Sequence, residues 1–94
     1  MVEIIWTEPA KNDLREIIEY ISQDSPNYGE YFLSRILEKI EEIAVFPLLG
    51  RKVPELDVPE LRELIFQKYR IVYNLLEGKI EIITIVHGSR LLRI

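Results

Sequence analysis

Cysteine is missing from all 94 residues, which removes disulfides, thiolate metal ligands and a cysteine nucleophile together. Histidine occurs once, at His87, and no pair of carboxylates stands at ligand spacing, so no metal and no cofactor are expected. No run approaches the ~18 apolar residues of a membrane span, and Met1-Val2-Glu3-Ile4 lacks the shape of a signal peptide. The expectation is a cytoplasmic protein with no membrane partner. A glycine-rich phosphate loop, a nucleophile elbow, internal repeats and low-complexity tracts are absent as well.

What the chain does have is enough apolar material, 48%, for one modest core, so residues 1–94 read as a single domain. Its net charge of -4 hides an asymmetry. Residues 1–50 hold four basic side chains against ten acidic ones, a net of -6, whereas residues 51–94 hold eight against six, a net of +2. Local potential decides what a surface attracts. An acidic chain is nonetheless a poor general binder of nucleic acid, whose affinity comes mainly from neutralised phosphates.

Val2 to Thr7 is rich in β-formers and reads as a strand. Thr7 is placed to cap a helix with Pro9 in its first turn, where a missing N–H costs nothing. Ala10, Leu14, Ile17, Ile18 and Ile21 then recur at helical spacing up to about Gln23. Ser25-Pro26 restarts a helix with the stripe Phe32, Leu33, Ile36, Leu37, Ile40, Ile43 and Ala44, which Pro47 stops. So short a connection makes the two helices an antiparallel hairpin that needs a sheet to lie on. Pro47 to Pro59 is irregular and contains Arg51-Lys52, read as a solvated tip, the alternative being a substrate-facing basic loop. Leu61–Phe66, Tyr69–Leu76 and Lys79–His87 form an antiparallel meander with turns at Gln67-Lys68 and Glu77-Gly78. The expected class is α+β, in the order β-α-α-β-β-β. The hairpin packs on one face of a small, mostly antiparallel twisted sheet that the first strand joins.

Strand alternation puts Arg62, Leu64 and Phe66 on one face, and Arg70, Val72, Asn74 and Leu76 on one face of the next strand. On the last strand it separates Glu81, Ile83, Ile85 and His87 from Ile80, Ile82, Thr84 and Val86. Both sets are largely apolar, so both faces of the sheet are expected to be covered. The helices can cover only one, which leaves an apolar groove for a partner on the other. Arg62 and Arg70 read either as ordinary ion pairs with Glu60, Glu63 or Glu81, or as a phosphate clamp suited to planar guanidinium groups. His87 reads either as structural or, with Arg90 nearby, as a general acid or base beside an anion stabiliser. Trp6 reads as core. Tyr28 and Tyr31 are expected to edge the hairpin, and Tyr69 and Tyr73 to belong to the sheet.

With the elements in this order, particular residues carry a likeness. They are Ala10-x-x-Asp13-Leu14-x-x-Ile17-x-x-Tyr20-Ile21, Phe46-Pro47-x-x-Gly50-Arg51, Leu61-Arg62-Glu63-Leu64, Tyr69-Arg70-Ile71-Val72-Tyr73 and Val86-His87-Gly88-x-Arg90. On these the chain resembles the RelE/ParE toxin superfamily, including plasmid stabilisation toxins. The resemblance implies a small α/β toxin neutralised by a cognate antitoxin whose C-terminal segment wraps it. RelE-like members cleave mRNA on the ribosome, and the corresponding catalytic positions here would be Arg62, Arg70, His87 and Arg90. ParE-like members poison DNA gyrase instead. This chain departs from the nuclease pattern in its acidic charge and in lacking a tyrosine after His87. The ParE-like reading is therefore preferred, with the tail Arg90–Ile94 as first candidate for target contact. The mRNA endonuclease is the runner-up, and an antitoxin-binding domain without toxicity a third class. A homodimer is expected only where the antitoxin is absent.

Overall fold

The computed structural model describes residues 2–92; Arg93 and Ile94, part of the candidate target-contacting tail, lie outside the described residues. The chain runs β1 (Glu3–Trp6), α1 (Glu8–Asp24), α2 (Pro26–Val45), β2 (Arg51–Lys52), β3 (Leu61–Phe66), β4 (Tyr69–Leu76) and β5 (Lys79–His87). The sheet order is β1-β5-β4-β3-β2, with β1 parallel to β5 and every other pair antiparallel. Two helices on a mixed sheet make the class α+β, as the sequence predicts. The one element it does not foresee is β2, where Arg51 and Lys52 pair with Glu63 and Arg62 instead of forming a free tip.

Local chemistry fixes the helix ends. The Thr7 hydroxyl accepts from Ala10 N–H at 3.3 Å and reaches the Ile82 carbonyl at 2.8 Å, so one side chain both caps α1 and ties it to β5. Ser25 ends one helix and begins the next. Its N–H donates to the Ile21 carbonyl, and its hydroxyl accepts from Tyr28 N–H at 3.1 Å. Beyond Trp6, where β1 stops pairing with β5, the Asp13 carboxylate accepts from the Thr84 hydroxyl and, at 3.2 Å, from Ile85 N–H. That open edge is thereby satisfied from α1.

The main core lies between the hairpin and the sheet: Phe32, Ile36, Ile40 and Ile43 of α2 against Phe66, Ile71, Tyr73, Ile80, Ile82 and Ile85. Leu14 and Ile18 of α1 pack against it while remaining half-buried, and so does Trp6, which the sequence places wholly in the core. Each fully buried aliphatic side chain contributes about 1.5–3 kcal/mol. No helix among the described residues is long and apolar enough to cross a membrane.

One irregularity resets the sheet's faces. Val72 pairs with Thr84 but Tyr73 with Ile82, so Ile83 is an extra residue, a β-bulge. Ile80 and Ile82 before the bulge face the helices, and so do Ile85 and His87 after it, because the bulge shifts the phase by one. Ile83 turns instead to a second, smaller cluster on the opposite face, around Val53, Leu61 and Val72 with Leu56 and Leu92. Simple alternation groups Ile83 with Ile85 and His87. The pairing separates them.

Candidate functional site

Cross-strand register decides which candidate side chains can meet. Arg62 stands opposite Tyr73, on the helix-facing side of the sheet, whereas Arg70 stands opposite Ile65 on the other side. The two arginines are therefore on opposite faces. Arg62 donates to the Gly50 carbonyl at 3.1 Å, and its Nε is buried with no hydrogen-bond partner among the described residues.

Arg70 is 5% exposed and sits in a closed ionic network. A guanidinium has five N–H donors, and each of those of Arg70 is engaged. Nε and one Nη2 donor meet Glu63, the other Nη2 donor meets Glu55 at 2.7 Å, and Nη1 meets Glu55 at 2.7 Å and the Arg90 carbonyl at 3.0 Å. The far oxygen of Glu63 takes Arg51 at 2.7 Å. Two arginines and two glutamates thus balance in charge, with the Glu63 side chain wholly buried. Hydrogen bonds from Arg70 hold the Glu55 carboxyl down from 4.5 to about 2, while the same bonds raise Arg70 above the ordinary arginine range.

The sequence names Glu63 among the ion-pair partners open to Arg62 and Arg70, and it is Arg70 that takes it; Glu55 it does not single out. A signal for Glu63 was present. A two-residue turn at Gln67-Lys68 sets Glu63 against Val72, which makes Arg70 its diagonal neighbour on the same face. Glu55, on an irregular loop, gives no such signal.

His87 and Arg90 do share a cleft, lined also by Asp13, Glu16, Tyr20 and Tyr69. The His87 ring stands edge-on to Tyr69, its cross-strand partner, with centroids 5.9 Å apart. Its Nδ1 accepts from Ser89 N–H at 3.2 Å and lies 2.8 Å from the Ser89 hydroxyl. That nitrogen's lone pair is engaged by the Ser89 amide, an arrangement that in the neutral ring places the proton on Nε2. Burial, then the neighbouring Tyr20 and Tyr28, raise the Tyr69 phenol above its ordinary value. Neither Arg62 nor Arg70 lines this cleft.

The second face of the sheet is not the open apolar groove that alternation predicts. The loop carrying Val53 and Leu56 and the tail residue Leu92 cover its centre, leaving a cleft on each side of the tail. An apolar groove lies elsewhere, between α1 and α2, and is lined by Trp6, Leu14, Ile18, Leu33 and Leu37 together with Lys11, Arg15 and Glu19.

Comparison with known proteins adds three likenesses. A family model described as the ParE toxin of the type II toxin-antitoxin system, parDE, matches residues 4–92. Toxin RelE2 of Caulobacter vibrioides (strain CB 15) is 34% identical over 92 residues, covering 97% of this chain and 100% of that protein. A solved chain from the chromosomal ParDE TA system of P. aeruginosa superimposes with a TM-score of 0.77 at 22% identity, over 95% of this chain and 98% of that one. The last is a likeness of fold.

Proposed function

The chain belongs to the ParE toxin family of type II toxin–antitoxin systems, and from that premise we propose that it poisons DNA gyrase by binding it, without cutting RNA. As the toxin component it has a cognate antitoxin. The observation that carries the reading is the saturation of Arg70. Metal-independent RNA cleavage needs a base, an acid and a charge stabiliser converging on one phosphate. Arg70 has no N–H left for a phosphate, and Arg62 approaches from the other face of the sheet. A toxin that acts by contact needs no such convergence.

One observation favours an mRNA endonuclease as the second reading: the shared cleft of His87, Arg90, Tyr20 and Tyr69. The antitoxin segment in our reading is acidic and amphipathic. It lays its apolar side into the groove between α1 and α2 and its charges against Lys11 and Arg15.

Purified toxin added in parallel to a gyrase supercoiling assay and to ribosomes translating a defined mRNA separates the readings. The expected result is gyrase inhibition that His87→Ala leaves unchanged, with the mRNA intact. Ribosome-dependent cuts that disappear in His87→Ala would replace the gyrase reading with the nuclease.

A further inference from the structure

The C-terminal segment leaves β5 at His87, turns through the hydrogen bond from Arg90 N–H to the His87 carbonyl, and crosses the second face of the sheet. It is not held there by a neighbouring strand. Two side chains do that work. Arg70 donates to the Arg90 carbonyl at 3.0 Å, and Glu55 accepts from Leu92 N–H at 3.1 Å. A carbonyl and the amide two residues later are the groups a parallel strand partner engages in a ladder. The bidentate Glu55–Arg70 pair offers one acceptor and one donor at that spacing, both in charge-assisted bonds. Leu92 packs on the Val53, Leu61 and Val72 cluster, while Leu91 between the two anchors is 70% exposed and stands on the ridge dividing the two clefts.

We infer that Glu55 and Arg70 are positioning residues that fix the backbone of Arg90–Leu92 so that Arg90 and Leu91 are presented to the toxin's target. The inference deepens the contact-toxin reading and rests on it. Fixing a short terminal segment before binding removes the ordering cost that a loose tail would meet on association. It also explains why an acid on an irregular loop is aimed into the second face, a placement the core does not require.

Glu55 is the residue to change, because Arg70→Ala would leave the buried Glu63 carboxylate with Arg51 as its one cationic partner and the fold itself in doubt. Three measurements on the full chain decide the matter: the melting temperature, hydrogen exchange at the Leu92 amide, and growth arrest on induced expression without antitoxin. Growth arrest reports toxicity whatever the target, so its outcome is separate from the gyrase assay. For Glu55→Ala we expect Leu92 to exchange at least about tenfold faster, with Ile71 and Val72 on β4 unchanged. Killing should fall by about tenfold or more at a growth temperature below the variant's melting temperature, where the chain is still folded. Glu55→Gln, which keeps one acceptor oxygen for Leu92, should fall between. Leu92 exchange equal to that of the parent overturns the latch and leaves the gyrase reading standing. A loosened tail with undiminished killing, in a background where Leu91→Asp abolishes killing, overturns the positioning role while keeping the tail as contact. If Leu91→Asp kills as well as the parent, the tail is not the contact and the inference falls with it.

Discussion

The two faces of this sheet are built on opposite principles. Towards the helices, Ile71, Tyr73, Ile80, Ile82 and Ile85 meet Phe32, Ile36, Ile40 and Ile43 in an apolar interface where the Tyr73 hydroxyl is satisfied by the Pro47 carbonyl and Gly50 N–H, and Arg62 Nε has no hydrogen-bond partner among the described residues. Away from them, a three-residue apolar centre at Val53, Leu61 and Val72 lies beside the Arg51–Glu63–Arg70–Glu55 network. The first face is stabilised by burial, which is non-directional and tolerant of sliding. The second is held by bonds with fixed angles and offers little net stability for the charge it buries. What it supplies is placement: the loop at Glu55 and the tail at Arg90 and Leu92 lie where those bonds put them.

The sharpest test of that contrast is the largest expected effect. Glu63→Ala leaves Arg70 in the interior with two donors unmet and Glu55 as its remaining carboxylate, and should cost about 3–5 kcal/mol. The double change Glu63→Leu with Arg70→Met should return to within about 1 kcal/mol of the parent, or exceed it. Urea unfolding measures both. A double variant as damaged as the single one would mean that the ionic face stabilises the fold after all. On the helical face, Ile40→Ala should cost about 2–5 kcal/mol, with no partner substitution able to rescue it. A loss below about 0.5 kcal/mol would show that the α2 stripe is not buried as described.

The smallest effect is one of pH. Arg70 holds the folded-state pKa of Glu55 at about 2, below its ordinary 4.5. A depressed carboxylate contributes fully above the unfolded value and loses its contribution as pH falls through the folded one. The ratio of Leu92 exchange rates between Glu55→Gln and the parent should therefore be constant from neutrality to about pH 5 and shrink between there and about pH 2. A ratio that instead changes already between neutrality and about pH 5 would show that a group other than Glu55 governs the tail.

Much of the helical face was legible in the sequence, because its signals are local. Caps at Thr7 and Ser25, the α2 stripe, and two-residue turns at Gln67-Lys68 and Glu77-Gly78 each depend on a few neighbouring residues. The second face was not, because its determinants are insertions and long-range partners. One extra residue at Ile83 moves Ile85 and His87 to the helical side, which strict alternation cannot foresee. Glu55 meets Arg70 fifteen residues further along the chain, with β3 between them, and Arg51-Lys52 becomes a strand only because β3 offers an edge. Among the candidate residues the sequence located His87 and Arg90 together, but assigned Arg62 and Arg70 one chemistry although the register sets them on opposite faces.

Gly50 shows what the helical face does to the loop above it. A Cβ there would stand 2.5 Å from the Glu63 carbonyl oxygen and 2.7 Å from the Tyr73 hydroxyl, so only glycine lets the chain come so close to β3. The hydroxyl that meets it belongs to the middle of the sheet, 23 residues further along the chain. Apart from the local bond from Leu49 N–H to the Phe46 carbonyl, the loop through Pro47, Leu48 and Leu49 therefore takes its moorings from β3 and β4. The arrangement of the exposed Phe46, Leu48 and Leu49 side chains is thus tied, through Pro47 and Gly50, to the Tyr73 hydroxyl in the sheet.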